Sequence, residues 1–332
     1  MRRSAAARST LAVLAGAGLL LSACSQQPET APANDGLSVV TSTDVYGDIV
    51  RTIGGDKVSV TAIISKTSQD PHSYEATAQD RLAVSKADLV VENGGGYDGF
   101  IHTLAEDSNL DEAKVLNAVE LSGLEEEATA GGDATAGATT EEADAEEEHG
   151  EDGHGHGEFN EHVWYSLSAM EKIADQLAAK LGELDPESAE GFTANAEAFK
   201  KELDALHARL DALKDSAGGA RVAVTEPVPH YLLEDAGLVN ATPEDYTAAI
   251  EEGSDVPPAV LKETTDLVES KSVRILAYNG QTEGPQTQAL KEAADLAGLP
   301  VVDFSETLPE GKTYLQWMTD NVENIGKALG EK

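Results

Sequence analysis

The sequence predicts an α/β protein of two lobes that one long helix joins. Apolar segments alternate with helical segments from Leu37 onward, and the same alternation resumes after Gly219. Strands that alternate with helices indicate βα units around a mainly parallel sheet, so we expect two Rossmann-like lobes. The length of 332 residues also favours two domains.

The first lobe is predicted over residues 37–184. Strands and helices alternate in it, with strands expected at 37–43, 58–65 and 88–94 and helices at 44–56 and 78–87. Ligands of parallel sheets bind beyond the carboxyl ends of the strands. We therefore expect the functional residues of this lobe to follow its strands.

A long helix is predicted over residues 185–216. Asp185 is expected to cap it, with Pro186 at its first helical position. Apolar residues recur at steps of four and three through Phe192, Ala196, Phe199, Leu203, Leu206 and Leu210. At a rise of about 1.5 Å per residue the helix would extend on the order of 40 Å, so we expect a rigid spine rather than a hinge.

The second lobe is predicted over residues 219–332. Strands are expected at 221–226, 273–280 and 300–305, and helices at 227–238, 258–271, 284–299 and 313–329. Because this alternation is similar to that of the first lobe, a cleft between two α/β lobes is expected.

The first 23 residues have the features of an export signal. Two arginines follow Met1, and an apolar run rich in small residues then ends in Leu-Ser-Ala before Cys24. This ending is similar to the lipobox of bacterial lipoproteins, so Cys24 is the predicted lipidation site. An export signal with an incidental cysteine is the alternative. Residues 24–36 are predicted to be a flexible tether, which would leave the protein lipid-anchored at the extracytoplasmic face of the cell membrane.

A net charge of −38 argues against anionic partners. Nucleic acids and phosphate ligands would be repelled, whereas cations would be attracted. Residues 124–158 alone hold thirteen acids and no Lys or Arg, together with His149, His154 and His156. A segment of this composition cannot bury enough apolar surface to fold, so we predict a disordered acidic loop inserted into the first lobe.

Donors for a divalent cation occur near the ends of predicted strands and before a helix. They are His72, His162, Glu226 and Glu306, with Asp303 as an alternative to Glu306. Two donors from each lobe would hold a metal ion in the cleft, and two imidazoles with two carboxylates suit zinc or manganese. Spacing alone leaves open that these are ordinary surface side chains, or that Glu226 only caps the following helix. His102 and His207 lie in helical patterns and are not assigned a role.

Two short motifs carry a resemblance to a known family. Asp-Pro-His-Ser-Tyr at residues 70–74 is similar to the first ligand motif of the metal-binding lipoproteins of bacterial zinc and manganese ABC importers, the cluster A-I family. Asn-Glu-His-Val-Trp at residues 160–164 is similar to the second motif, in which Asp-Pro usually stands in place of Asn-Glu. The resemblance extends from Leu37 to the C-terminus and implies two α/β lobes on a rigid spine helix.

The resemblance also implies a set of metal ligands. This set is His72, His162, Glu226 and Glu306, and His230 is the reserve ligand if Glu226 only caps a helix. Glu306 stands where the family usually has Asp.

Zinc is favoured over manganese as the implied cargo. Two carboxylates make the site harder and suit manganese, whereas zinc prefers imidazole and ranks higher in general affinity. Zinc members of the family often carry a His- and acid-rich loop, so an auxiliary metal-binding role is assigned to His149, His154 and His156. A solubilising disordered insert is the alternative for this loop.

The implied activity is capture and delivery, without enzymatic chemistry. The loaded protein, expected to be a monomer, would dock on an ABC permease that a cytoplasmic ATPase drives. The alternatives from other classes are a surface adhesin, a metallohydrolase, and a binder of siderophores or cobalamin on a similar fold. A hydrolase would need an open coordination position and a general base, and the sequence contains no HExxH pattern.

Overall fold

The structure is a computed structural model that describes residues 36–126 and 159–330. The predicted signal peptide, Cys24 and nearly all of the tether lie outside the described residues, as do His149, His154 and His156. The predicted acidic loop starts too early, because residues 124–126 are helical and Leu124 packs against the core. Within the two described ranges, no helix is both long and apolar enough to cross a bilayer.

Besides short 3-10 turns and the helical residues 124–126, the described part of the first lobe contains four β-strands and five longer α-helices. They are β1 (Leu37–Thr43), α1 (Asp44–Gly54), β2 (Val58–Ile64), α2 (Ala78–Val84), β3 (Leu89–Glu92), α3 (Gly99–Asp107), β4 (Val115–Asn117), α4 (Ala118–Ser122) and α5 (Leu167–Leu184). The four strands form a parallel sheet in the order β2-β1-β3-β4. All four residues of β3 are buried, as expected for a central strand of a parallel sheet that is covered on both faces.

A single helix of 29 residues, α6 (Ala189–Ala217), follows the first lobe. The predicted apolar positions from Phe192 to Leu210 are all buried, which confirms the face of the helix that the sequence pattern indicates. At about 1.5 Å per residue the helix is about 43 Å long.

The predicted start of this helix is wrong. The backbone amide of Asp185 donates to Leu181 O at 2.8 Å in the last turn of α5, so Asp185 ends the preceding helix. Its carbonyl then accepts from the amide of Ser188 at 3.1 Å, which makes a short turn. The long helix therefore begins at Ala189, three residues after Pro186.

The second lobe repeats the arrangement of the first. Its elements are β5 (Arg221–Val224), α7 (His230–Asp235), β6 (Val239–Asn240), α8 (Glu244–Glu251), α9 (Pro258–Glu269), β7 (Ile275–Asn279), α10 (Pro285–Ala297), β8 (Val301–Phe304) and α11 (Tyr314–Leu329). The strands form a second parallel sheet in the order β6-β5-β7-β8, equivalent to the order in the first lobe. The two α/β lobes, each built on a parallel sheet, and the long helix between them in sequence confirm the predicted fold class.

One apolar core runs through both lobes and the long helix. It contains Val39 and Leu89 of the first sheet, Leu203 of α6, and Val222 and Ile275 of the second sheet. Because separating the lobes would expose this shared surface to water, burial of apolar area opposes a large opening of the cleft.

Hydrogen bonds also connect the C-terminal part of the second lobe to α1, the first helix of the described residues. Asp44 Oδ1 accepts from the amide of Leu308 at 3.0 Å, and Asp48 Oδ2 accepts from the amide of Tyr314 at 2.8 Å. The second of these bonds fixes the start of α11 against α1, so the last helix of the second lobe also contacts the first lobe.

Candidate metal centre

His72 lies in the loop that follows β2. Asp70 shapes this loop, because its Oδ1 accepts from the amide of His72 at 2.9 Å and its Oδ2 accepts from Ser73 Oγ at 2.7 Å. The imidazole is 24% exposed and meets the ring of Tyr97 edge-on, with 5.0 Å between ring centroids. The first predicted donor thus lies at the carboxyl end of the first sheet and remains accessible to an ion.

His162 is almost completely buried, at 1% exposure, and its ring orientation is fixed by Asn160. Asn160 Oδ1 lies 2.7 Å from His162 Nδ1 and 3.1 Å from the His162 amide, so both nitrogens donate to it. Donation from Nδ1 leaves the Nε2 lone pair available to a metal ion, as is usual for histidine ligands. The Asn160 side chain in turn donates to Pro227 O at 3.0 Å, which connects this segment to the second lobe.

Burial also sets the protonation state of His162. The pKa of His162 is well below its ordinary value because the low-dielectric surroundings penalise the imidazolium, and because His72 adds a second positive charge nearby. The ring is therefore neutral at neutral pH, which is the form that binds a metal ion.

Glu226 and Glu306 follow β5 and β8, and one amide holds both. Asn279 Nδ2, at the end of β7, donates to Glu226 Oε2 and to Glu306 Oε1, each at 2.7 Å. Thr282 Oγ1 donates to Glu226 Oε2, and Tyr97 Oη donates to Glu306 Oε2 at 3.1 Å. The two carboxyl groups are 3% and 4% exposed, so the second lobe offers a fixed, buried pair of acids.

The structure places His72, His162 and Glu306 around Tyr97, and Glu226 is linked to Glu306 through Asn279. Its ring lies 5.0 Å from that of His72 and 5.7 Å from that of His162, and its hydroxyl reaches Glu306. The rings of the two histidines are themselves 6.4 Å apart. Donors from both lobes therefore face each other around a single buried tyrosine.

Two further acids, which the sequence did not single out, belong to the same cleft. Donor atoms of His72, Glu161, His162 and Glu251 all lie within 4.8 Å of one another, a cluster that does not include Glu226 or Glu306. The only sequence signal at Glu161 is that Asn-Glu replaces the Asp-Pro of the family motif. Glu251 is the last residue of α8, a helix that the sequence pattern did not predict.

The carboxyl groups of the cleft hold their protons more strongly than exposed acids do. Burial, and then the charge of Glu226, raises the pKa of Glu306 to about 8. Burial likewise raises the pKa of Glu251 to about 8 and that of Glu161 to about 7, and it raises the pKa of Glu226. A divalent ion would reverse this effect, because its charge favours the ionised carboxylates.

The alternative donors named from the sequence lie elsewhere. Asp303 is 72% exposed on the solvent side of β8, where Lys291 Nζ is 3.9 Å away. His230 is 45% exposed and lies 3.7 Å from Glu234, one turn further along α7. His102 pairs with Glu92 at 3.3 Å and His207 with Glu171 at 3.5 Å, so both have partners remote from the cluster in the cleft.

Comparisons with known proteins agree with this architecture. A family model described as "Zinc-uptake complex component A periplasmic" matches residues 39–328. The chain is 25% identical over 320 residues to the manganese-binding lipoprotein MntA of Halalkalibacterium halodurans, with 91% of each chain covered. It is 23% identical over 335 aligned positions to the manganese ABC transporter substrate-binding lipoprotein PsaA of Streptococcus mitis, covering 97% of this chain and 98% of the relative.

A solved structure shows the same fold at low sequence identity. The periplasmic zinc binding protein TroA of Treponema pallidum superposes with a TM-score of 0.67 at 20% identity, covering 89% of this chain and 99% of TroA. The family match extends from β1 into α11 and confirms the resemblance that the two histidine motifs carry. The chain belongs to the family of the periplasmic zinc-uptake complex component A.

Proposed function

We propose that this protein captures zinc outside the cytoplasm and delivers it to the permease of an ABC importer. Membership of the family supports the general role, a metal-binding component of such an importer. The observation that carries the proposal is the state of His162, which is buried, neutral and oriented by Asn160 with Nε2 available. Orientation of the ring through its Nδ1, with Nε2 left for an ion, is the arrangement that metal-binding histidines use.

The proposed ligands are His72 and His162 from the first lobe and Glu226 and Glu306 from the second. Four protein ligands would complete a tetrahedral zinc sphere and leave no open position for a substrate of hydrolysis. The protein would thus bind and release an ion without bond chemistry. The shared core and the hydrogen bonds between the lobes favour small local movements during release, because they oppose wide opening.

Manganese is the second candidate cargo. The cleft contains four carboxyl groups rather than the predicted two, and carboxylate-rich sites suit manganese. Two of the compared relatives are named for manganese. Zinc remains the proposed cargo because two imidazoles contribute and because zinc ranks above manganese in general affinity.

Lipidation at Cys24 would anchor the protein to the extracytoplasmic face of the membrane, close to its permease, and a cytoplasmic ATPase would drive transfer. We propose that the protein acts as a monomer and that adhesion, if it occurs, is additional to transport. His149, His154 and His156 are proposed to bind further zinc weakly.

Metal titration tests the function. The chain starting at Ser25 is stripped of metal and titrated with zinc and with manganese against a competing chelator. One tight zinc equivalent is expected, and His162→Ala should weaken zinc binding by about 100-fold or more, because even outer-shell changes cost 10–100-fold. His207→Ala is the matched control, since His207 lies on the long helix and pairs with Glu171 of α5.

The outcomes separate the alternatives. Tight manganese with poor zinc retention would reassign the cargo to manganese. The absence of a tight equivalent for either ion, or equal affinity in His162→Ala, would exclude a metal site in the cleft. Repeating the zinc titration on a chain that lacks residues 127–158 should remove weak equivalents and leave the tight one.

A further inference from the structure

The cleft holds two pairs of acids that differ in their hydrogen bonding. Glu226 and Glu306 are engaged: both accept from Asn279, and in addition Thr282 donates to Glu226 and Tyr97 to Glu306. Glu161 and Glu251 are not engaged in this way, because Oε1 of each is buried and accepts no hydrogen bond from the residues that the structure describes. Buried carboxylate oxygens without donors are costly and are rarely left so unless a ligand completes them.

Each of the two unengaged acids faces the histidines. Glu161 Oε1 lies 3.8 Å from His72 Nε2, and one donor atom of each of the four side chains falls within a 4.8 Å cluster. Glu161 is 4% exposed, and Gly95 packs so closely that an added Cβ would lie 3.0 Å from Glu161 Cβ. The backbone carbonyl of Glu161 also accepts a hydrogen bond from Asn93 Nδ2 at 3.0 Å, so Glu161 has a fixed place in the cleft.

We propose that His72, Glu161, His162 and Glu251 form a second metal-binding arrangement, which overlaps the first and shares both histidines with it. The inference rests on the proposed function and adds to it a distinct set of ligands. In this arrangement the ion binds without breaking the hydrogen bonds from Asn279, Thr282 and Tyr97 to the acids of the second lobe. It is the set that receives the ion in the conformation that the structure shows.

Charge balance explains why two sets exist instead of one site of six donors. A divalent ion is neutralised by two carboxylates, so either pair of acids gives a neutral site with two neutral imidazoles. All four acids on one ion would leave two uncompensated negative charges in a buried cleft, which is strongly unfavourable.

Binding of an ion by these four side chains requires their donor atoms to move only slightly closer together. Donors around tetrahedral zinc with bonds of about 2.0–2.1 Å lie about 3.3 Å apart, compared with the present limit of 4.8 Å. His72 and Glu251 are the two less buried members of the cluster, so rotation of their side chains contributes most readily to this contraction.

Zinc titration of combined variants tests the proposal. The double variant Glu226→Gln/Glu306→Gln replaces both acids of the first arrangement with neutral amides. It should still bind one equivalent of zinc, with reduced but measurable affinity. Adding Glu251→Gln should weaken that equivalent at least tenfold further, whereas adding Glu252→Gln, an exposed neighbour, should leave it unchanged. Cobalt absorption in the visible range, recorded on the same variants, should change with Glu251→Gln and not with Glu252→Gln.

Three results decide the matter. Equal zinc affinity in the two triple variants would overturn the second arrangement and leave the proposed function intact. Loss of all zinc binding in Glu226→Gln/Glu306→Gln, with a folded protein by circular dichroism, would overturn it as well. If the unmodified protein binds no zinc or manganese, the proposed function itself fails. Glu161→Gln in the Glu226→Gln/Glu306→Gln background should reproduce the effect of Glu251→Gln.

Discussion

Tyr97 and Glu306 form a hydrogen bond across the cleft, from Tyr97 Oη to Glu306 Oε2 at 3.1 Å. Tyr97 follows β3 in the first lobe and is fully buried, whereas Glu306 follows β8 in the second lobe. The same tyrosine ring contacts the imidazoles of His72 and His162 edge-on. One side chain therefore sets the distance between the histidines of one lobe and an acid of the other.

Tyr97→Phe should weaken the metal-free protein while preserving the packing of the ring. Removing the hydroxyl leaves a buried carboxyl oxygen without this donor, and we expect the free energy of unfolding to fall by about 1–3 kcal/mol. Zinc affinity should fall by about tenfold, because Glu306 loses an orienting partner. Urea denaturation and zinc titration measure the two effects.

Tyr74→Phe is the matched control for this change. The hydroxyl of Tyr74 donates to Asp80 Oδ2 at 3.0 Å near the surface, where water can replace it, so the loss should be below about 1 kcal/mol. Equal unfolding free energies for Tyr97→Phe and the unmodified protein would show that the bond across the cleft contributes nothing.

Leu203→Ala should destabilise both lobes together. Leu203 is fully buried in α6, within the core that extends into both sheets, and truncating such a leucine costs about 2–5 kcal/mol. Leu296→Ala, at a position that is 91% exposed on α10, should change the unfolding free energy by less than about 0.5 kcal/mol.

The two tryptophans of the chain report on the two lobes in this experiment. Trp164 precedes α5 and Trp317 lies in α11, and both are buried. Single-tryptophan versions, each with the other tryptophan changed to Phe, should therefore share one urea midpoint in the Leu203→Ala background. Two separate midpoints would contradict a core that is continuous between the lobes.

Local patterns made most of the fold predictable. Apolar runs such as Leu37–Thr43 gave the strands, and the repeating apolar positions of α6 gave its buried face, because both depend on residues near in sequence. The sequence places the start of α6 too early, because Asp185 and Pro186 have the features of a helix start although the amide of Asp185 donates within α5. The sequence pattern does not indicate helix α8, because only Tyr246, Thr247 and Ala249 are buried in it.

The site was predictable only in part, for a physical reason. His72 and His162 stand in motifs, and Glu226 and Glu306 follow strands, so residue type and position indicate them. Asn279 donates to Glu226, which is 53 positions away in the sequence, and to Glu306, which is 27 positions away. No local sequence pattern could indicate these two contacts. Glu251 enters the cleft through tertiary packing alone.

The stability of the metal-free protein should fall as the pH rises above 6.5, and bound zinc should remove most of this decline. Burial raises the pKa of Glu306 and Glu251 from 4.5 to about 8, and that of Glu161 from 4.5 to about 7. The folded protein then holds protons that the unfolded chain has released, so stability must fall as the pH rises through this range. The pKa of His162 is lowered and acts in the other direction, but only below its unfolded value of 6.5. The window from pH 6.5 to 8 therefore isolates the acids.

Thermal unfolding at pH 6.5, 7.5 and 8.5 measures this effect. The midpoint of the metal-free protein should fall across the series, and the increase in midpoint on adding zinc should grow, because zinc displaces the same protons more easily as the pH rises. Glu306→Gln and Glu251→Gln each remove one titrating group and should flatten the decline of the metal-free protein, whereas Glu252→Gln should not. A metal-free midpoint that does not fall from pH 6.5 to 8.5 would show that these carboxyl groups are already ionised in the folded protein. The buried carboxylates would then have to be stabilised by something other than bound protons.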